Sequence, residues 1–124
     1  MADLKMGVVE TRFAELIWNN EPISSGDLVR LCAKELDWKK STTYTVLKKL
    51  CERGIFANED GTVRSLYNKR DFYAAQSRQY VEDTFEGSLP AFMAAFSSGR
   101  RLTEEELKEI RDLLDTWQKA GQTQ

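Results

Sequence analysis

A mainly α protein is predicted, in which three helices and a small β-wing form a winged helix-turn-helix and three further helices follow it. Three observations predict it. The stretch from Trp38 to Asn68 reads as one helix leading into a tight hairpin. The charge is unevenly spread: from Lys39 to Arg70 eight basic residues face three acidic ones, a net +5 in a chain whose total is −2. After Asp71 the apolar residues fall into narrow helical stripes with no strand signal between them.

Taken in order, Met6, Val9, Phe13, Leu16 and Ile17 form a stripe that predicts a helix from about Gly7 to Trp18 or Asn19. Asn19-Asn20-Glu21-Pro22 ends it, because the residue before proline is pushed out of the helical region. Ile23 is placed to add a short edge strand to the wing. Ser24 with Asp27 three residues on resembles a capping box and starts the second helix, whose inward face is Leu28, Val29, Cys32 and Leu36 and whose end falls near Asp37. The third helix is expected over Ser41 to Arg53. Thr43, Val46, Leu47 and Leu50 share its inner face, and Ser41, Thr42, Thr45, Lys48 and Lys49 fall outside. Gly54 suits the left-handed position that follows a helix. Ile55 to Glu59 and Thr62 to Asn68 then read as strands joined by Asp60-Gly61, a favoured two-residue hairpin turn, so that the winged helix closes by about Asn68.

Beyond it, Phe72 or Tyr73 to Phe85 can form a helix with Tyr73, Tyr80, Val81, Thr84 and Phe85 on one side, ended by Gly87. Leu89, Phe92, Met93 and Phe96 recur at i, i+3, i+4 and i+7 on the next. Ser97-Ser98-Gly99 is a turn. Thr103 with Glu106 forms a capping box for a last helix carrying Leu107, Ile110, Leu113, Leu114 and Trp117, and a polar tail from Lys119 to Gln124 is expected to fray. The domains expected are 1–70, the winged helix, and 71–124, the helical half.

Composition narrows the chemistry. The 124 residues suffice for one modest core, or for a small domain plus an appendage that needs a partner. There is no histidine, so Ser-His and Cys-His nucleophile pairs and His-ligated zinc are excluded. No Gly-rich phosphate loop or Cys-x-x-Cys pair occurs, and Glu104-Glu105-Glu106 sits where acidic side chains complement a helix N-terminus. An enzyme is not expected, nor any cofactor or metal. Cys32 and Cys51 fall on or beside apolar helix faces and read as packed thiols, with a thiol switch the alternative. No apolar run approaches the ~20 residues of a membrane span and no signal-peptide core is evident, so a cytoplasmic protein is expected.

A basic island in an acidic chain is an anion-binding face, and nucleic acid is its commonest partner. An outer helix face of short hydroxyls and lysines can enter the roughly 12 Å major groove. From Asp71 onward the sign reverses, six basic residues against ten acidic, so the second half is no further DNA surface. Its apolar stripes are better buried against a second copy of the chain. The interface expected there comprises Tyr80, Phe85, Leu89, Phe92, Met93, Phe96, Leu107, Ile110, Leu114 and Trp117.

Ile17-Trp18, the Leu28-Val29 helix, Trp38 before Ser41-Thr42-Thr43-Tyr44-Thr45-Val46-Leu47, then Leu50 and Gly54, follow one another in an order that resembles the penicillinase repressor family, the BlaI/MecI/CopY type of bacterial transcriptional repressor. Phe85-Glu86-Gly87-Ser88 and Leu102-Thr103-Glu104-Glu105-Glu106-Leu107 extend the resemblance to nearly the whole chain. It implies a homodimer that binds a dyad-symmetric operator and represses resistance or stress genes. By position Ser41, Thr42, Thr45 and Lys49 match the family's DNA-contacting helix residues, and Arg64 falls in the wing. Lys39, Lys40, Lys48, Lys49 and Arg64 would meet phosphates, whereas Thr42, Thr45 and Ser41 would discriminate bases. Family members follow this Trp with Ser-Pro; here Lys39-Lys40 stand instead. The β-lactam-responsive members are cut by a sensor protease between Asn and Phe, where this chain aligns Ala95-Phe96, and the copper-responsive members carry C-terminal Cys-x-Cys pairs, whereas this chain has no cysteine after Cys51. The alternatives are a winged helix that binds an acidic protein, and a small-molecule-sensing regulator of another winged-helix family with a pocket lined by Tyr73, Tyr80, Phe92 and Trp117.

Overall fold

A computed structural model describes residues 4–122. Six helices and a three-stranded sheet follow in the order α1 (Val8–Asn20), β1 (Ile23–Ser24), α2 (Ser25–Leu36), α3 (Lys40–Glu52), β2 (Phe56–Glu59), β3 (Thr62–Ser65), α4 (Lys69–Phe85), α5 (Leu89–Ser98) and α6 (Glu104–Gln122). The chain divides into two compact units, one running to Tyr80 and the other starting at Val81.

In the first unit local signals set the element ends. Ser24 caps α2, its Oγ accepting from the Asp27 N–H at 3.0 Å, and Asp37 closes it in the left-handed conformation, its N–H donating to the Cys32 carbonyl. Gly54 follows α3 at φ 79°. The hairpin turn takes φ 50° at Asp60 and 85° at Gly61, the pair of positive values that a two-residue turn of matching twist requires. The sheet is antiparallel in the order β1-β3-β2, with Ile23 opposite Val63 and Asn58 on the other side of the same residue.

The core gathers Phe13, Ala14 and Ile17 of α1, Leu28 and Cys32 of α2, Leu47 and Leu50 of α3, and Ile55, Phe56 and Val63 of the wing. Each large side chain taken out of water there contributes roughly 1.5–3 kcal/mol. Phe72, in the first turn of α4, is fully buried in the same core, which therefore does not close at Asn68. Trp18 explains why. Its Nε1–H donates to the Tyr67 carbonyl at 2.9 Å, and its ring lies 5.6, 5.4 and 5.7 Å from Phe56, Phe72 and Tyr73.

Several expected boundaries move. Val9 is exposed and Ala14 takes the inward place, since the buried face of α1 is centred on Phe13 and Ile17. The strands are shorter than the apolar runs: Ile55 precedes β2 and β3 stops at Ser65, for although the Leu66 N–H still reaches the Ile55 carbonyl at 2.8 Å, the Ile55 N–H does not return the bond but donates to the Leu50 carbonyl at 3.1 Å. Asn68 caps α4, which begins at Lys69, three residues before Phe72, the Asn68 Oδ1 accepting from the Asp71 N–H at 2.8 Å. α6 runs on through the expected polar tail as far as Gln122; residues 123–124 lie outside the described part.

The second unit is built from the end of α4 with α5 and α6. Glu86 and Gly87, at φ 51° and 80°, turn the chain out of α4, and a Cβ on Gly87 would meet Glu82 Oε2 at 2.9 Å. Ser88 caps α5 through the Ala91 N–H, and Thr103 and Glu106 complete the expected reciprocal box at the start of α6, both bonds 3.0 Å. Phe92 packs edge-on to Phe85 at 5.6 Å, and the Arg100 guanidinium lies over the Phe96 ring. Yet no described residue from Val81 onward is buried.

Candidate nucleic-acid interface

α3 is held by its apolar side, and what it turns outward follows from the helical period. Thr43, Leu47 and Leu50 are buried, while Ser41, Thr42, Thr45, Lys48 and Lys49 are all exposed. The two threonines behave alike on opposite faces: Thr43 Oγ1 donates to the Lys39 carbonyl at 3.4 Å, and Thr45 Oγ1 to the Ser41 carbonyl at 2.8 Å. Thr45 therefore offers an incoming group its methyl and its oxygen lone pairs rather than a proton.

Lys39 and Lys40 replace a conventional start. Lys39 is the N-cap and supplies no side-chain cap, as an ammonium cannot accept a hydrogen bond. The helix thus begins one residue earlier than expected, with the positive end of its dipole beside two exposed ammonium groups. First-turn amides so placed are suited to an external anion such as a phosphate. Lys39, Lys40 and Lys48 make no ion pair among the described residues. Glu52, exposed one turn past Lys48 on the same face, bounds the basic stretch.

The other cations of the island have partners that spacing did not reveal. Arg64 meets Glu59 across the wing at 2.6 Å and is neutralised there, and with Asp60 at the turn the hairpin is net negative. Lys69 bonds Glu15 of α1 at 2.7 Å. Lys49 and Arg53 share the Glu10 carboxylate at 3.6 and 3.4 Å. The wing and α3 are fixed to α2 through Ser25: its N–H donates to the Gly61 carbonyl at 2.7 Å, and the Tyr44 hydroxyl to its Oγ at 3.1 Å. Glu10, Glu59 and Ser25 belong to no motif and Tyr44 stands in the α3 motif with no role read from it, so it is the packed fold that brings them to the site.

Cys32 is buried and Cys51 half-buried, and burial pushes both thiols above their ordinary range. Tyr73 belongs to the first unit, its hydroxyl donating to Glu15 Oε1 at 2.9 Å. In the second unit Leu89, Phe96, Leu107 and Leu114 are exposed, as is Trp117 at 52%, while Phe85, Phe92, Met93 and Ile110 are half-buried; Tyr80, at the end of the first unit, is exposed. Ala95 and Phe96 lie exposed within α5. Among the described residues no helix is long and apolar enough to cross a membrane, and no three acidic or cysteine side chains gather as a metal site.

The helix order, the wing on β3 and the outward face of α3 define a winged helix-turn-helix protein. A match to the penicillinase repressor family spans residues 6–116, and the chain belongs to that family. It is a DNA-binding transcriptional regulator and not an enzyme. Methicillin resistance regulatory protein MecI of Staphylococcus aureus (strain Mu50 / ATCC 700699) is 22% identical over 86% of this chain and 89% of its own length. The penicillinase repressor of Bacillus licheniformis is 20% identical over 86% of each. Among solved structures, the multiple antibiotic-resistance repressor (MarR) of Listeria monocytogenes 4b F2365 aligns with a TM-score of 0.46 at 19% identity, over 98% of this chain and 78% of that one.

Proposed function

We propose that the protein represses transcription in the cytoplasm as a homodimer on a dyad-symmetric operator, each protomer laying α3 in a major groove. The observation that carries this reading is the outward face of α3, where the exposed hydroxyls of Ser41, Thr42 and Thr45 stand together with the exposed Lys48 and Lys49 beside a buried apolar side. Lys39, Lys40, Lys48 and Lys49 supply phosphate contacts, and Ser41, Thr42 and Thr45 read base edges. Arg64 is a weaker contributor than its place in the wing suggests, because Glu59 neutralises it. The dimer is supported by the second unit, where no described residue is buried and leucines and aromatics are left to solvent. Two α3 helices so joined would meet half-sites about one DNA turn, or a small multiple, apart.

The proposed targets are resistance or stress genes, the relatives' names supporting the first of these. Induction by a sensor protease at Ala95-Phe96 requires part of α5 to unwind, since a protease takes its substrate extended. Loosening the dimer in that way frees the operator, because a single half-site binds weakly.

Fluorescence anisotropy with the DNA upstream of the protein's own gene, against a shuffled duplex, tests the reading across a salt series. Tighter binding to the upstream DNA, two protomers per site and a steep salt slope are expected. Weak, equal binding to both duplexes would move the function to a protein-interaction module.

A further inference from the structure

We propose that Glu10 is a positioning residue that limits the phosphate affinity of α3 by acting as an internal competitor for Lys49; the proposal rests on the DNA-binding reading above. Glu10 sits in the first turn of α1. Its Oε1 accepts from the Gly7 N–H at 3.2 Å, and its Oε2 lies 3.4 Å from Arg53 Nη1 and 3.6 Å from Lys49 Nζ. The two cations differ in freedom. Arg53 is only 17% exposed and also donates to the Lys5 carbonyl, so it is part of the packed structure. Lys49 is 61% exposed, at the edge of the DNA-facing side of α3, and its ammonium can leave.

When a phosphate approaches Lys49, the ammonium exchanges one anion for another. The Glu10 carboxylate, left with Arg53 alone beside a polyanion, then draws a cation from solution. That uptake offsets part of the counterion release that drives binding, so Lys49 contributes less than a lysine without a partner. The effect carries no sequence information. It sets the affinity for any duplex, whereas the hydroxyls of α3 set the preference among duplexes.

Glu10→Gln is the variant of choice, because glutamine can still accept from the Gly7 N–H while the charge is lost. Wild type, Glu10→Gln, Lys49→Ala and the double variant are titrated against one labelled duplex of random sequence over a KCl series. Glu10→Gln should bind about threefold tighter at low salt. Its log–log salt slope should steepen by up to about 0.9. Both changes should vanish in the Lys49→Ala background, which a merely structural role of Glu10 would not produce. Equal slopes for wild type and Glu10→Gln, where wild type binds with a clear salt dependence, overturn the proposal alone. A gain that survives in the Lys49→Ala background overturns it too. Wild type that binds no duplex in a salt-sensitive way overturns the DNA-binding reading and this proposal together. Should circular dichroism show Glu10→Gln unfolded, Glu10→Asp takes its place, its shorter side chain withdrawing the carboxylate from Lys49. A slope steeper than wild type then supports the proposal and an unchanged one overturns it.

Discussion

Thr45 enters any DNA contact with its hydroxyl proton already committed to the Ser41 carbonyl. Toward a base edge it is an acceptor and a methyl group, which suits the amino group of adenine or cytosine and the methyl of thymine. Thr45→Ala should reduce the preference for operator over random duplex by about 1 kcal/mol and leave the salt slope unchanged. Lys48→Ala should do the reverse, lowering the slope by about 0.9 on both duplexes and sparing the preference. Anisotropy on the two duplexes measures both, and equal loss of preference in the two variants would end this division of labour. The cysteines give a second prediction at this scale. With both thiols pushed up by burial, neither is a thiolate at neutral pH, so a disulfide reagent such as DTNB should label Cys32 only after denaturation and Cys51 slowly before it. Fast labelling of both in the native protein would revive the thiol-switch alternative. These residue roles were legible to different depths. The outer face of α3 follows from the helical period alone, but Glu10 lies 43 positions before Arg53 and Glu15 lies 54 before Lys69, separations that no local pattern bridges.

At the scale of elements, caps and turns were legible because their chemistry is contained within a few residues. Ser24 with Asp27, Asp60-Gly61 and Thr103 with Glu106 each mark a boundary where the structure has it. The start of α4 was missed although Asn68 with Asp71 is a signal of the same kind, since the apolar residues there begin only at Phe72. Its attachment to α1 is also electrostatic. Lys69 donates to Glu15 Oε2 at 2.7 Å and Tyr73 to Oε1, and the Lys69 hydrogen bond foremost holds the Glu15 carboxyl below its ordinary value. A carboxyl lowered in the folded state adds stability that is complete above the ordinary carboxylate range and is lost as the pH falls through the folded value. Thermal melts from neutral pH into acid should therefore show Glu15→Gln less stable at neutral pH, by no more than about 1 kcal/mol for so solvated a pair, and level with wild type in acid. A constant difference at every pH would assign the loss to packing rather than to the ion pair.

For the whole molecule, the contrast between the units is one of burial. Phe13, Phe56 and Phe72 are fully buried in the first, whereas α5 and α6 leave leucines, phenylalanine and tryptophan to solvent in the second. Periodicity revealed the stripes on these helices but not what lies against them, because a stripe has the same spacing whether it meets its own chain or another. If the stripes are a dimer interface, a charge placed among them should cost association and not the fold. Leu114, 47% exposed on the stripe of α6, is the position for the test, since Leu114→Glu places a carboxylate where solvent already reaches. Sedimentation equilibrium should give the single-chain mass for Leu114→Glu and twice that mass for wild type, with far-ultraviolet circular dichroism unchanged. Operator affinity should fall roughly 10²–10⁴-fold, the avidity lost when two linked half-site contacts become independent. Binding to one isolated half-site should stay as it was, because α3 is untouched. A Leu114→Glu protein that remains dimeric places the interface elsewhere, and a monomer that still binds the full operator as tightly as wild type removes dimerisation from the mechanism.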